Sequence, residues 1–199
     1  MTLDGLLGGW CVGLSLAFIW PQVWRAIRHD TSHGLSPFAL LHGLVGSSLW
    51  LSYGLLQHDL AVWGSNSSFI VAQSLIISVT YRHGKIPRRT LIQVAFAVLA
   101  VLLGFTQLPA GFVGIVAICI SGSSVLPQLI HVVRTDNLHA ISLSSYALTI
   151  LSSFSWLVYG FVVNDPMVSV QNFFVIPIFG FMIQKAWRWR VANDVPVLR

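Results

Sequence analysis

The chain carries one sequence pattern twice. The pair Pro21-Gln22 returns 106 residues later as Pro127-Gln128, and the register then continues without a gap to Asn66 and Asn172. Two unrelated apolar helices would coincide mainly at leucine, valine and isoleucine, whereas most of these coincidences are polar, aromatic or glycine residues. A duplicated structural unit explains them. The identical pairs include Arg28/Arg134, Asp30/Asp136, His33/His139, Ser36/Ser142, Ser47/Ser153, Trp50/Trp156, Tyr53/Tyr159, Gly54/Gly160 and Asp59/Asp165.

The composition of the whole chain is that of a membrane protein. Only 9% of the 199 residues are charged and the mean hydropathy is +0.77, whereas a soluble domain has roughly 25% charged residues. Apolar stretches near 20 residues are long enough to cross a hydrocarbon core of about 30 Å as helices. Seven of them nearly exhaust the chain, at about 5–24, 37–56, 60–80, 90–108, 111–133, 143–163 and 166–187.

The basic residues predict the orientation in the membrane. All eleven Lys and Arg follow the first, third or fifth stretch or lie near the C-terminus, which places them on one side of a seven-helix protein. The positive-inside rule makes that side cytoplasmic. We therefore expect a multi-pass cell-membrane protein with its N-terminus outside and its C-terminus in the cytoplasm. The net charge of +5 then follows from topology, and no nucleic-acid partner is expected.

The repeat also predicts the architecture. Each copy holds three spans, so a direct fusion would invert the second copy, and the fourth stretch restores its direction. The expected fold is an all-α membrane protein with seven transmembrane helices, arranged as two parallel three-helix repeats joined by an inversion linker helix. The predicted divisions are 1–84 for the first repeat, 85–109 for the linker, 110–187 for the second repeat and 188–199 for a cytoplasmic tail.

Prolines and serines predict local helix features. Ser36 and Ser142 are expected to cap the second and sixth spans, and Pro37 suits a first helical position. Pro21 and Pro127 lie inside the first and fifth spans, where a proline removes a backbone hydrogen bond and permits a kink. The adjacent side chains can bond the freed carbonyl. We therefore interpret Pro21, Gln22, Pro37, Pro127 and Gln128 as hinge positions.

Two tryptophans and two asparagines indicate a binding site. Trp50 and Asn66 each lie eight residues from His58, so both sit about 10 to 12 Å below the outer surface on neighbouring helices. Trp156 and Asn172 repeat this arrangement. An asparagine inside a span needs a partner for its amide, and the alternative to a ligand is a hydrogen bond between helices. An amide beside an indole face suits a neutral, polyhydroxylated molecule.

The rest of the spans indicates passive transport. Proton-coupled carriers usually keep a carboxylate in the pathway, yet all six acidic residues lie in loops, tails or helix ends. His42 is the ionisable residue left inside a span, and its repeat partner is Leu148; a locally bonded histidine is favoured over a proton relay. The pattern contains no catalytic triad, phosphate-binding loop or metal-ligand spacing, so no enzyme, cofactor or metal is expected.

Residues at the outer mouth have two interpretations. Tyr53, Asp59, Tyr159 and Asp165 either close an extracellular gate by hydrogen bonding across the repeat axis, or are ordinary interfacial residues. The sequence does not choose between these.

The two Pro-Gln pairs, each followed by a basic loop that ends in Gly-Leu-Ser (34–36) or Ala-Ile-Ser (140–142), resemble the PQ-loop superfamily. Within it, the segments from Leu49-Trp50 to Asn66 and from Trp156 to Asn172 are similar to the SWEET and SemiSWEET sugar transporters. The resemblance covers nearly the whole chain, in the arrangement of a full-length SWEET.

This resemblance implies roles by position. Trp50, Asn66, Trp156 and Asn172 would contact the sugar, and Gly46, Ser152, Ala17 and Ser123 would shape the pocket. Pro21, Pro37 and Pro127 would belong to the prolines on which the helices rock. Leu143 stands opposite Pro37, so the fourth proline of that set is missing.

The sequence thus predicts a uniporter for a neutral mono- or disaccharide that works by alternating access. Two alternatives remain: a proton-coupled amino-acid exporter of the cystinosin type, and a non-transporting receptor with the PQ-loop fold. The sequence leaves open which sugar is carried and whether protomers form a homo-oligomer.

Overall fold

A computed structural model describes residues 2–33, 35–135, 137–138 and 141–196. Asp136 and His139 of the repeat lie outside the described residues. Within the described part of the chain the regular structure is helical, and seven helical spans are long and apolar enough to cross a membrane. The helices are α1 (Leu3–Arg28), α2 (Pro37–Leu56), α3 (Leu60–Arg82), α4 (Arg88–Gly104, continued by a 3₁₀ turn at Phe105–Gln107), α5 (Ala110–Ser123), α6 (Leu126–Arg134), α7 (Leu143–Val162) and α8 (Pro166–Ala192).

The expected caps are confirmed. The Ser36 hydroxyl accepts a hydrogen bond from the amide of Ala39 at 3.3 Å, and Pro37 is the first residue of α2. In the second copy, the Ser142 hydroxyl accepts from the amide of Ser145 at 3.2 Å. Each cap satisfies one of the amides that a helix start leaves without an intrahelical partner.

The last helix is longer than its apolar stretch. Hydropathy predicts an end near residue 187, yet α8 continues to Ala192. Arg190 is buried in this extension, and its guanidinium donates to the Ile141 carbonyl at 2.8 Å and to the Pro196 carbonyl at 2.7 Å. Cations also suit a helix C-terminus. The first part of the expected tail is therefore packed helix.

The two Pro-Gln positions differ. Pro21 lies inside α1, which is one continuous helix. In the second copy α5 ends at Ser123, and α6 begins at Leu126 with Pro127 in its first turn. Proline cannot donate to the carbonyl four residues earlier, so a helix that ends before it and restarts around it leaves fewer strained groups. The expected kink in the fifth span is thus a break.

The chain forms two compact units, Met1–Ser124 and Val125–Arg199. The division falls at the break of the fifth span, because α5 packs on α2 of the first unit. This division into packed units differs from the predicted repeats 1–84 and 110–187, which are defined by sequence similarity between the copies. The repeat boundaries stay a prediction.

Helix packing follows the same order in both units. In the first unit α3 packs on both α1 and α2, around a core that includes Ile19, Val23, Leu40 and Ile76. In the second unit α8 packs on both α6 and α7. Its core includes the repeat partners of Leu40 and Ile76, which are Tyr146 and Met182, together with Val132, Leu143, Phe179 and Ala186.

Candidate binding site

The α2–α3 hairpin is closed by a turn that contains a left-handed residue. His58 takes a left-handed conformation with φ of 55°. The amide of Asp59 donates to the Gly54 carbonyl at 2.9 Å, and that of His58 to the Leu55 carbonyl at 3.2 Å. This is the bonding of a Schellman motif, which satisfies the last carbonyls of a helix. The Asp59 carboxylate then caps α3 by accepting from the amide of Val62 at 3.0 Å.

The α7–α8 hairpin repeats this geometry. Asn164, the repeat partner of His58, has φ of 56°, and the amide of Asp165 donates to the Gly160 carbonyl at 2.8 Å. The Asp165 carboxylate accepts from the amides of Met167 at 2.9 Å and Val168 at 3.2 Å. Both acidic residues of the predicted gate are therefore helix caps, and their role in closing the mouth stays a prediction.

Two glycines bring the hairpin helices together. A Cβ atom on Gly54 would lie 2.6 Å from the Trp63 backbone nitrogen, and one on Gly160 would lie 2.8 Å from that of Ser169. Real Cβ atoms do not approach a backbone nitrogen so closely, so glycine is required at both positions. The close approach sets the spacing of the helices that carry the tryptophans and the asparagines.

Trp50 is held by contacts on two sides. Its ring packs edge-on against the ring of Tyr53, with centroids 5.4 Å apart and planes at 86°. Its indole N–H donates to the Ser121 hydroxyl of α5 at 3.1 Å. Gln57 in turn donates to the hydroxyl of Tyr53 at 3.3 Å. The orientation of this indole is fixed by α2 and α5 together.

Trp156 has the same neighbour in the second unit. Its ring meets that of Tyr159 edge-on, with centroids 5.5 Å apart and planes at 89°. Tyr159 is buried, whereas Trp156 is half-buried. Each unit thus orients its tryptophan by an aromatic contact one turn later in the helix.

Both asparagines bond to their own helix. The amide N–H of Asn66 donates to the Val62 carbonyl and that of Asn172 to the Val168 carbonyl, each at 2.8 Å. In neither residue does this N–H make the hydrogen bond between helices that was the alternative prediction. An amide has a second N–H and an acceptor oxygen as well. Both side chains are half-buried, so each unit offers an oriented amide at the same position.

The sequence did not predict that one face of α2 carries α5. A Cβ atom on Gly46 would lie 3.8 Å from the Ser121 Cα, so the two backbones approach closely there. One turn earlier, His42 Nε2 lies 2.7 Å from the Ile120 carbonyl oxygen and 3.2 Å from the Ser123 hydroxyl. His42 is thus locally bonded, as expected. The close approach joins Gly46 and Trp50 to the end of α5.

Three further residues that the sequence predicted for the site or its hinges take no part in the contacts described above. Ala17 is exposed on α1 and Ser152 is half-buried on α7, and their place in a pocket stays a prediction. Gln128 donates to the Tyr146 hydroxyl rather than to the carbonyl that Pro127 frees.

Comparison with known proteins agrees with the repeat. The family described as "Sugar efflux transporter for intercellular exchange" matches residues 110–184, and the family described as "PQ loop repeat" matches residues 5–63. The protein named Sugar transporter SWEET1 from Drosophila pseudoobscura pseudoobscura is 26% identical, over 75% of this chain and 72% of its own length. In both copies of its repeat, the chain is thus similar to SWEET and PQ-loop proteins.

Further relatives match this SWEET-like protein over different lengths. Sugar transporter SWEET1 of Homo sapiens is 28% identical over 86% of this chain and 84% of its own length. That of Rattus norvegicus is 29% identical over 62% of this chain and 61% of its own length. These relatives are named as transporters, which are not enzymes. The sequence likewise predicts a transporter and no enzyme.

A solved structure shares the fold. The structure of a eukaryotic SWEET transporter superposes with a TM-score of 0.73, covering 96% of this chain and all of that one, at 17% sequence identity. At this identity the likeness concerns the seven-helix fold.

Proposed function

We propose that this SWEET-like protein carries a neutral mono- or disaccharide passively across a membrane. The observation that supports this most is the duplicated geometry of the site. In each unit a tryptophan is set edge-on to a tyrosine, and an asparagine amide on the other helix of the hairpin bonds to its own backbone. The names of the relatives, which are sugar transporters, favour the same substrate class.

The chemistry of these groups suits a sugar. An amide offers donors and an acceptor to neighbouring hydroxyl groups, and an indole face covers the C–H side of a sugar ring. We infer that Trp50, Asn66, Trp156 and Asn172 contact the substrate. Binding groups that are already oriented lose less conformational entropy when the ligand arrives.

The acidic residues favour uniport over proton coupling. Among the described residues, Asp59 and Asp165 serve as helix caps and Asp30 pairs with Arg82 at 3.0 Å. Asp4 lies in the first turn of α1 and Asp194 follows α8. Since a proton-coupled carrier usually keeps a carboxylate within its pathway, we infer that no proton gradient drives the transport.

The proposed cycle is alternating access. Pro21, Pro37 and Pro127 are the proposed points at which helices bend, and Tyr53, Asp59, Tyr159 and Asp165 the proposed outer gate. The break between α5 and α6 supports the use of Pro127, because a break already lacks the hydrogen bonds that bending would disrupt.

The proposed location is the cell membrane, with the N-terminus outside. Labelling with an impermeant maleimide tests this in a variant whose two native cysteines are alanine. Gln57→Cys, in the outer hairpin, should be labelled in intact cells, and Arg89→Cys should be labelled only after lysis. The reverse pattern would invert the proposed topology.

Uptake into proteoliposomes tests the function. Labelled glucose and sucrose are supplied with and without a pH gradient, and we expect uptake of at least one sugar at a rate that the gradient does not change. Flux of an amino acid that depends on the gradient would instead support the exporter of the cystinosin type. Binding without any flux would support the receptor.

A further inference from the structure

The break in the fifth span changes the bonding of one carbonyl. In a continuous helix the amide of Ser124 would donate to the Ile120 carbonyl. Here that amide donates to the Ser121 carbonyl instead, at 3.2 Å. The Ile120 carbonyl is taken by two side chains, the Ser123 hydroxyl at 2.7 Å and His42 Nε2 at 2.7 Å. A histidine of α2 thus replaces a helical donor of α5.

The geometry defines the protonation of His42. A carbonyl oxygen only accepts hydrogen bonds, so the proton must lie on Nε2. The Ser123 hydroxyl lies 3.2 Å from the same nitrogen. The ring of Phe38, one turn earlier on α2, stacks on the imidazole with centroids 5.5 Å apart. The ring is therefore held on its face and at its edge.

His42 belongs to a row of three contacts. His42, Gly46 and Trp50 follow each other at four-residue spacing, so they share one face of α2. A Cβ atom on Gly46 would be in ordinary van der Waals contact with Ser121 of α5, and Trp50 donates to the Ser121 hydroxyl at 3.1 Å. The last turn of α5 is thus fastened to α2 at two points, on either side of a glycine.

Two of the three residues in this row differ between the two copies of the repeat. The partner of His42 is Leu148, which has no hydrogen-bond donor in its side chain, and the partner of Gly46 is Ser152. The partner of the broken segment is α1, which continues through Pro21. The histidine therefore occurs in the copy that pairs with the break, and it is not one of the residues that the two copies share.

We propose that His42 is a positioning residue for the transport cycle. Its hydrogen bond to Ile120 fastens the end of α5 to α2, so that the fifth span bends at residues 124–125 and not within α5. The residue neither contacts the sugar nor relays a proton along the transport pathway. This inference rests on the proposed function. It adds that the end of α5 stays attached to α2 while the fifth span bends.

Three substitutions of His42 separate positioning from packing. The amide nitrogen of glutamine occupies nearly the position of Nε2, that of asparagine falls short of it, and leucine is the residue of the other copy. One hydrogen bond between helices in a membrane changes an equilibrium about three- to twenty-fold. We expect His42→Leu and His42→Asn to lower the maximal transport rate by that factor, with the half-saturating sugar concentration within about twofold, and His42→Gln to restore most of the rate.

The control is Ser78→Ala, which removes a hydroxyl bonded only within α3, to the Leu75 carbonyl at 2.7 Å. It should leave the transport rate unchanged. Equal rates for the leucine and glutamine variants, or a rise in the half-saturating concentration without a loss of maximal rate, would overturn the proposal.

A second measurement does not depend on transport. The ¹⁵N spectrum of the ¹⁵N-histidine-labelled protein, assigned by loss of one signal in His42→Gln, should give a His42 ring protonated at Nε2. A ring protonated only at Nδ1 would contradict the tie to Ile120, whatever the flux. A correct tautomer in a wild-type protein that moves no sugar would overturn the proposed function and leave the tie standing.

Discussion

At the scale of single residues, the repeat identifies positions better than it identifies their roles. Gly54 and Asp59 recur in the second copy, which marks them as important. Their contacts, with the Trp63 backbone and with the Val62 amide, depend on how closely α2 approaches α3. The sequence does not give that distance, so the capping role of Asp59 could not be predicted from it, and its role in a gate stays a prediction.

The close approach at Gly54 predicts a size limit. Gly54→Ala should lower the thermal midpoint in detergent, because the new methyl group meets backbone atoms that cannot move aside; overpacking of this kind costs about 1 to 3 kcal/mol. The matched control is Gly64→Ala, where a Cβ has open space and alanine favours the helix. Equal midpoints for the two variants would contradict the close approach.

The cap at Asp59 predicts a different pattern. Asp59→Ala should lower stability by about 1 kcal/mol, whereas Asp59→Asn should stay near the wild type, because asparagine also caps helices. The thermal midpoint of each variant measures this. If asparagine destabilises the protein as much as alanine does, the charge of Asp59 matters more than its cap.

At the scale of helices, the second, third and sixth spans could be predicted to within two residues. Their apolar stretches begin at polar caps and end at turns, so length, hydropathy and capping agree. The end of α8 could not be predicted, because Arg190 is stabilised in part by the carbonyl of Ile141, which lies 49 residues earlier in the chain. The break before Pro127 could not be predicted either, since Pro21 in the same motif leaves α1 continuous.

Proline substitution tests the cause of the break. Pro127→Ala should let helix run on from α5 into α6, because it restores a backbone donor. Hydrogen exchange of the amides at residues 124–126 should then slow. Pro21→Ala serves as the control, because α1 is already continuous there, and its exchange should change little. Similar changes in both variants would show that proline does not cause the difference.

At the scale of the whole molecule, duplication and hydropathy were sufficient to predict the seven-helix SWEET-like fold, because both are properties of long stretches. The candidate site was predicted in part. Its tryptophans and asparagines appear in the repeat, but His42 and Gly46, which complete the row with Trp50, do not. That row depends on residues at which the copies differ, and such differences carry no signal in a search for similarity.

The central claim is that residues of both sequence copies contact a neutral sugar during its transport. Its most direct measurement is exchange of labelled sugar across proteoliposomes at equal pH, for the wild type, Asn66→Ala and Asn172→Ala, with Ser78→Ala as the control. Loss of one buried hydrogen bond with its partner left unsatisfied costs about 1 to 3 kcal/mol, so each asparagine variant should exchange about 5- to 150-fold more slowly while remaining folded. Exchange at the wild-type rate in both asparagine variants, or no exchange in the wild type, would contradict the account.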